Sequence, residues 1–135
     1  MLDDRTPPRR VTKLHHVRPC DIDAWGHLNH AKAIELFELG RHDWVRARQS
    51  AERGYGCLPV VVRIDVSYRR EVFLSEVLVT TELTQTKYYT AEFTQAISLP
   101  HEADSPAIAG RISISFLDTT TRRPMRVQGV ELLKA

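Results

Sequence analysis

Past Leu58 the apolar residues of this chain recur at the two-residue period of extended strands, whereas residues 29–52, free of proline, carry them at spacings of three and four. One helix-period segment followed only by strand-period segments leaves few folds open. Val60, Val62, Ile64, Val66 and Tyr68 share one parity, and Val61, Arg63, Asp65 and Ser67 take the other. Similar runs cover residues 77–83, 89–99 and 108–116, with Tyr89, Ala91, Phe93, Gln95 and Ile97 on one face of the second. The breaks between them, 69–75, 84–87 and 100–106, are too short for crossover helices, so the strands pair mainly antiparallel. A strand is also expected at 13–18, closed by Pro19, and a short last one at 126–132 after a turn at 119–124. In the helix, Ala33, Leu36, Phe37, Gly40, Trp44, Val45 and Ala47 form one stripe, and Gly54 and Gly56 stop it. The expectation is an α+β fold of two layers, one long helix packed on a five- to six-stranded, mainly antiparallel sheet.

A length of 135 residues with 42% hydrophobic content fits one domain, read as 13–135 behind a flexible arm at 1–12. The 19 basic and 17 acidic residues nearly cancel, which gives no general attraction to nucleic acid. No run reaches the ~18 to 20 apolar residues of a membrane span, and residues 1–10 lack the apolar core of a secretion signal. Two cysteines, Cys20 and Cys57, with no C-x-x-C pair, suggest reduced thiols in a cytoplasmic protein rather than a disulfide framework or a zinc site.

The chemistry concentrates in Asp21-Ile22-Asp23-Ala24-Trp25-Gly26-His27-Leu28-Asn29-His30, where a loop enters the helix. The first amides of a helix lack intrahelical partners and sit at the positive end of its dipole. They can polarise a carbonyl and favour the oxyanion formed when a thioester is attacked. Gly26, with no Cβ, lets a ligand approach the backbone closely. Asp23 is the candidate to act on the same carbon, as general base toward water or as direct nucleophile. Asp21 is read as a positioning group, Asn29 as a cap or tether, and His27 as a residue whose backbone amide ranks above its ring. His27, His30 and His42 are poorly spaced for a metal, so none is expected. Arg69, Arg70 and Lys87, with Arg122 and Arg123, sit at expected strand ends where they could meet phosphates, and Trp25 and Trp44 could line an acyl pocket or the core.

These residues resemble the hotdog-fold acyl-CoA thioesterases, in the 4-hydroxybenzoyl-CoA thioesterase-like branch. The pattern there is approximately D-x-D-x-x-G-H-x-N-N followed by F-x-E-x-x-R on a helix. Here it reads Asp21-x-Asp23-x-x-Gly26-His27-x-Asn29-His30, then Phe37-Glu38-x-x-Arg41. The resemblance covers nearly all of the chain after residue 12, and His30 departs from it. It implies that Asp23 is the catalytic carboxylate and that amides of Gly26, His27 and Leu28 bind the thioester carbonyl. It also implies a dimer or tetramer with active sites between subunits, and a coenzyme A or carrier-protein thioester as substrate with no other cofactor. Two rival readings are a hotdog dehydratase or hydratase, for which the H-F-P-G-type motif is missing, and a domain that binds acyl thioesters without turnover.

Overall fold

The computed structural model describes residues 7–48 and 57–134. Its elements in chain order are strand β1 (Arg10–His16), helix α1 (His30–Arg46), and strands β2 (Cys57–Tyr68), β3 (Glu76–Lys87), β4 (Thr90–Ser98) and β5 (Ile108–Asp118). The five strands form one antiparallel sheet in the order β1-β3-β4-β5-β2, with α1 packed across β1, β3 and β4. This is the two-layer arrangement expected of a hotdog fold. Strand β1 begins at Arg10, opposite Glu82, so pairing starts ahead of the boundary set at residue 12. Residues 1–6, and Gly54 and Gly56, lie outside the described residues.

The apolar stripe of α1 faces the sheet: Ala33, Leu36, Phe37, Gly40 and Trp44 are buried. Ala47 is exposed, because the helix has ended at Arg46. The closest approach of the two layers is at Gly40. A Cβ there would lie 2.6 Å from Thr81 Oγ1, 2.8 Å from Val79 Cγ1 and 2.9 Å from Gln95 Nε2. Beside it runs a buried polar chain: Arg41 Nη1 donates to Gln95 Oε1 at 2.9 Å, and Gln95 Nε2 donates to Phe37 O and to Thr81 Oγ1, each at 2.8 Å. Buried polar groups must be partnered to be tolerated, and here they also fix the helix on the sheet. Asp43, on the same helix, is buried, with His15 Nε2 at 2.7 Å, Arg46 Nη1 at 3.1 Å and Lys13 Nζ at 3.7 Å from its carboxylate.

Three strand expectations change, the simplest being the break expected at 84–87, which is the last part of β3. In β2 the register slips between Val61 and Arg63, so Val61, opposite Ile114, shares the helix-side face with Ile64, opposite Ile112. One inserted residue reverses the parity of everything before it, which is why simple alternation grouped Val60 with Ile64. The expected strand at 126–132 is instead a pair of 3₁₀ turns, Val127–Gly129 and Glu131–Leu133. Val127, Val130 and Leu133 recur every three residues, the 3₁₀ period, and the turns tuck Val130, Leu132 and Leu133 into the core.

Strand β2 pairs only with β5 and forms an edge. Its apolar residues stay open: Val60, Val61, Val62 and Ile64 are 39%, 41%, 54% and 43% exposed. An edge strand leaves a row of backbone N–H and C=O groups unpaired, a template on which another strand can pair.

Candidate active site

Between β1 and α1 the chain makes a tight loop whose base is Asp21. Its Oδ2 accepts from Arg18 N at 2.8 Å and Arg18 Nε at 3.1 Å, and its Oδ1 accepts from Arg18 Nη2 at 3.0 Å. These bonds hold the Asp21 carboxyl below the ordinary carboxylate range against the opposing effect of burial. Asp21 is thus an anchor, as its sequence position suggested. Above it, Ile22 bridges Leu28, and the amide of Asn29 donates to Asp21 O at 2.9 Å, closing the loop on itself.

The tip is a turn from Asp23 to His27. Gly26 N donates to Asp23 O at 3.0 Å, Asp23 N donates to His27 O at 3.0 Å, and Gly26 adopts φ +89°. That left-handed backbone requires glycine, while the space beside its Cα is open. Asp23 Oδ1 accepts the amide of Trp25 at 3.0 Å, and His27 Nδ1 lies 3.7 Å from Oδ2. One carboxylate oxygen therefore orients the group, and the second makes no hydrogen bond among the described residues. The His27 ring lies between a backbone carbonyl and a carboxylate: Nδ1 is 3.2 Å from Leu28 O, and Nε2 is 3.9 Å from Glu71 Oε1.

The helix start shows which amides are spent. Asn29 caps α1, its Oδ1 accepting from Ala31 N at 2.8 Å and Lys32 N at 3.4 Å. Asn29's own amide is used on Asp21. Of the four orphan donors at a helix N-terminus, only His30 N–H remains without an acceptor among the described residues. In the loop, Gly26 N is spent on Asp23 O and Leu28 N on Val72 O at 2.6 Å, which leaves His27 N–H. The sequence expectation of donors at Gly26, His27 and Leu28 is corrected accordingly. Gly26 and Leu28 use their amides to shape the loop, and those of His27 and His30 have no acceptor among the described residues.

Asp23, His27 and His30 line one cleft of about 300 Å³ together with Tyr68, Arg69, Arg70 and Glu71 from the end of β2 and the segment after it. Tyr68 Oη donates to His30 O at 2.9 Å. Of the expected phosphate contacts, Arg69 lines this cleft with no side-chain partner among the described residues. Arg70 is held by Glu102 at 3.3 Å and by Ser105 O. Lys87 lies elsewhere: it pairs with Thr90 at the far end of the sheet, roughly 30 Å from Arg69 at ~3.3 Å per strand residue. Trp25, at 83% exposure, is not part of the cleft wall, and Asn29 serves as cap. Tyr68 and Glu71 are site residues that the sequence reading does not name as such, and His30 enters that reading only as the end of the loop, a rejected metal ligand and a departure from the family pattern. The one signal for Tyr68 was its place as the last residue of the β2 alternation, directly before Arg69 and Arg70.

A second cleft, apolar and about 220 Å³, lies between the later half of α1 and the sheet, walled by Val45, Pro59, Val61, Phe93, Ile114 and Phe116 among others. It opens beside the edge strand β2.

Comparison with known proteins adds to this geometry. The chain is 29% identical over 116 residues to the long-chain acyl-CoA thioesterase FadM of Escherichia coli (strain K12), covering 84% of this chain and 87% of that one. Among solved structures, the probable thioesterase YbaW from Escherichia coli superposes with a TM-score of 0.76 at 24% identity, over 87% of this chain and 90% of that one. The DHNA-CoA thioesterase from Staphylococcus aureus gives a TM-score of 0.73 at 19% identity, over 88% and 81% respectively. Among the described residues no helix is long and apolar enough to cross a membrane. Residues 17–133, spanning the loop, the helix, the strands β2 to β5 and the closing turns, match the model of one family, and the chain belongs to it: the thioesterase-like superfamily.

Proposed function

We propose that this protein hydrolyses acyl-CoA thioesters at the cleft formed by Asp23, His27 and His30. The observation that carries this reading is the meeting at a single cleft of the Asp23 carboxylate with the residues His27 and His30, whose amides have no acceptor among the described residues. A thioester carbonyl oxygen placed on the His30 amide, with His27 N–H beside it, is polarised by the helix terminus. Each such donor contributes about 2.7–4 kcal/mol to an oxyanion transition state. Asp23 then acts in one of two ways. As a base it takes a proton from water while that oxygen attacks the carbonyl carbon. As a nucleophile it forms an anhydride with release of the thiolate, and water cleaves the anhydride. Either route ends in a carboxylic acid and coenzyme A, and neither calls for a metal or redox cofactor.

The same reading makes the working unit an oligomer. Two β2 edges paired antiparallel about the Val62–Arg63 step would set the Tyr68 end of one copy beside the Cys57 end of the other. The apolar cleft that Pro59 and Val61 help to wall then adjoins the partner's Asp23 cleft, a route for the acyl chain. Arg69 is available to coenzyme A phosphate, whereas Arg70 would first have to leave Glu102. The free cysteines, Cys20 exposed and Cys57 buried, fit a cytoplasmic location.

The test is thiol release from a panel of acyl-CoA and acyl-carrier-protein substrates by the native protein and by Asp23→Asn. The expected result is turnover by the native protein and a loss of about a hundredfold or more in kcat for the variant. Full activity of Asp23→Asn, or tight acyl-CoA binding with no turnover by the native protein, overturns the reading.

A further inference from the structure

Tyr68 is the last residue of the edge strand β2, and its hydroxyl donates to the carbonyl of His30, the first residue of α1, at 2.9 Å. That carbonyl already accepts from within the helix, so the phenol occupies its second lone pair. The bond is the one side-chain tie among the described residues between β2 and the start of the helix. This matters because of how the other helix-start groups are used. Asn29 fixes Ala31 and Lys32, Asp21 fixes Asn29, and Ala33 N–H holds the Asn29 carbonyl on one side of the His30 amide at 3.0 Å, while on the other side the His30 carbonyl takes the Tyr68 hydroxyl. The exposed His30 side chain lines the cleft and makes no hydrogen bond among the described residues. The residue with the unspent amide is therefore held in place from across the cleft, by a tyrosine on another element.

We propose that Tyr68 is a positioning residue for the hydrolytic reaction, holding the His30 amide at the orientation in which it meets the thioester carbonyl. This rests on the thioesterase reading of the cleft. A donor is useful only when it points at the oxygen as charge develops there, and a misplacement of about 1 Å can cost about a hundredfold in rate. The tie also joins the reactive end of the helix to the strand with the exposed apolar edge. A copy seated on β2 therefore steadies Tyr68, and through it the helix start.

The experiment is Tyr68→Phe, which deletes one hydroxyl and keeps the ring. Steady-state hydrolysis of the best acyl-CoA substrate should show kcat reduced about ten- to a hundredfold with KM within about twofold. The acid limb of the pH–rate profile should stay in place, because Asp23 is untouched. An unchanged kcat overturns the proposal. So does a rise in KM at constant kcat, which would make Tyr68 a substrate contact, and so does a loss of activity matched by loss of folded protein in thermal melts.

A second measurement does not depend on turnover. In ¹⁵N-labelled protein, the His30 and Ala31 amide signals should move, and their hydrogen exchange quicken, in Tyr68→Phe, while those of Arg41 to Trp44 stay in place. If the His30 and Ala31 signals do not move, the positioning role is wrong even should the protein prove inactive. Failure of the native protein to release thiol, with those signals moving as expected, instead overturns the thioesterase reading and leaves the tie intact.

Discussion

Gly40→Ala is ordinarily a stabilising change, since alanine is favoured over glycine inside a helix by about 1 kcal/mol. Here the sign should reverse. The added methyl would sit 2.6 Å from Thr81 Oγ1, 2.8 Å from Val79 Cγ1 and 2.9 Å from Gln95 Nε2. Ordinary contact is about 3.5 Å or more, so three neighbours are each too close by roughly 0.6–0.9 Å. None is the free end of a flexible chain: Thr81 and Val79 are short buried strand residues, and Gln95 Nε2 is bonded to Phe37 O and Thr81 Oγ1. Overpacking of this kind costs about 1–3 kcal/mol. Loosening one buried hydrogen bond adds about 1–3 kcal/mol more. After the helix-propensity gain, the net loss is about 1–5 kcal/mol. At roughly 4 °C per kcal/mol for a domain of this size, the melting temperature should fall by about 4–20 °C. Urea and thermal unfolding followed by circular dichroism, at one fixed protein concentration, measure this directly. Gly129→Ala is the control, because a Cβ there meets nothing within 4 Å, and it should change stability by less than about 0.5 kcal/mol. A Gly40→Ala protein as stable as the native one, or more so, would refute the close approach of helix and sheet at this point.

Asp21→Asn should destabilise the protein by roughly 1–2 kcal/mol near neutral pH through loss of charged hydrogen bonds to Arg18. Arg18 depresses the folded-state value of Asp21, so its contribution is present above the ordinary value of 3.8 and fades as pH falls through the lower folded value. Unfolding measured between pH 2 and 7 should show the two proteins converging only at the acid end, and a constant gap across that range would contradict this assignment. Val62→Lys puts a charge in the middle of the exposed β2 edge, where two copies would bring like charges together. Sedimentation should show it shifted toward monomer, with activity falling in parallel, and an unchanged oligomer would remove β2 as the pairing edge.

The helix and most strand positions were readable because burial imposes a period. Ala33, Leu36, Phe37, Gly40 and Trp44 declare a helix face, and Ala91, Phe93, Gln95 and Ile97 declare a strand face. Periodicity failed where a local event reset it. The slip between Val61 and Arg63 reversed the parity of β2, and a three-residue spacing at Val127, Val130 and Leu133 was read as a strand. Asp43 escaped notice because a carboxylate on a helix reads as solvated until His15, from a strand 28 residues away, is seen to meet it.

For the site, sequence alone determined the ingredients: an aspartate, a glycine without a Cβ, and a helix start near Asn29. Those are local properties, fixed by backbone stereochemistry and by the unpaired amides of any helix end. Which amides remain free was decided only by the tertiary structure. Val72, from the segment after β2, consumes the amide of Leu28, and Tyr68 holds His30 from the end of that strand. Hydrogen-bond partners so distant in sequence leave no periodic trace, because what pairs them is the packing of a loop against a strand end and not the order of residues within either.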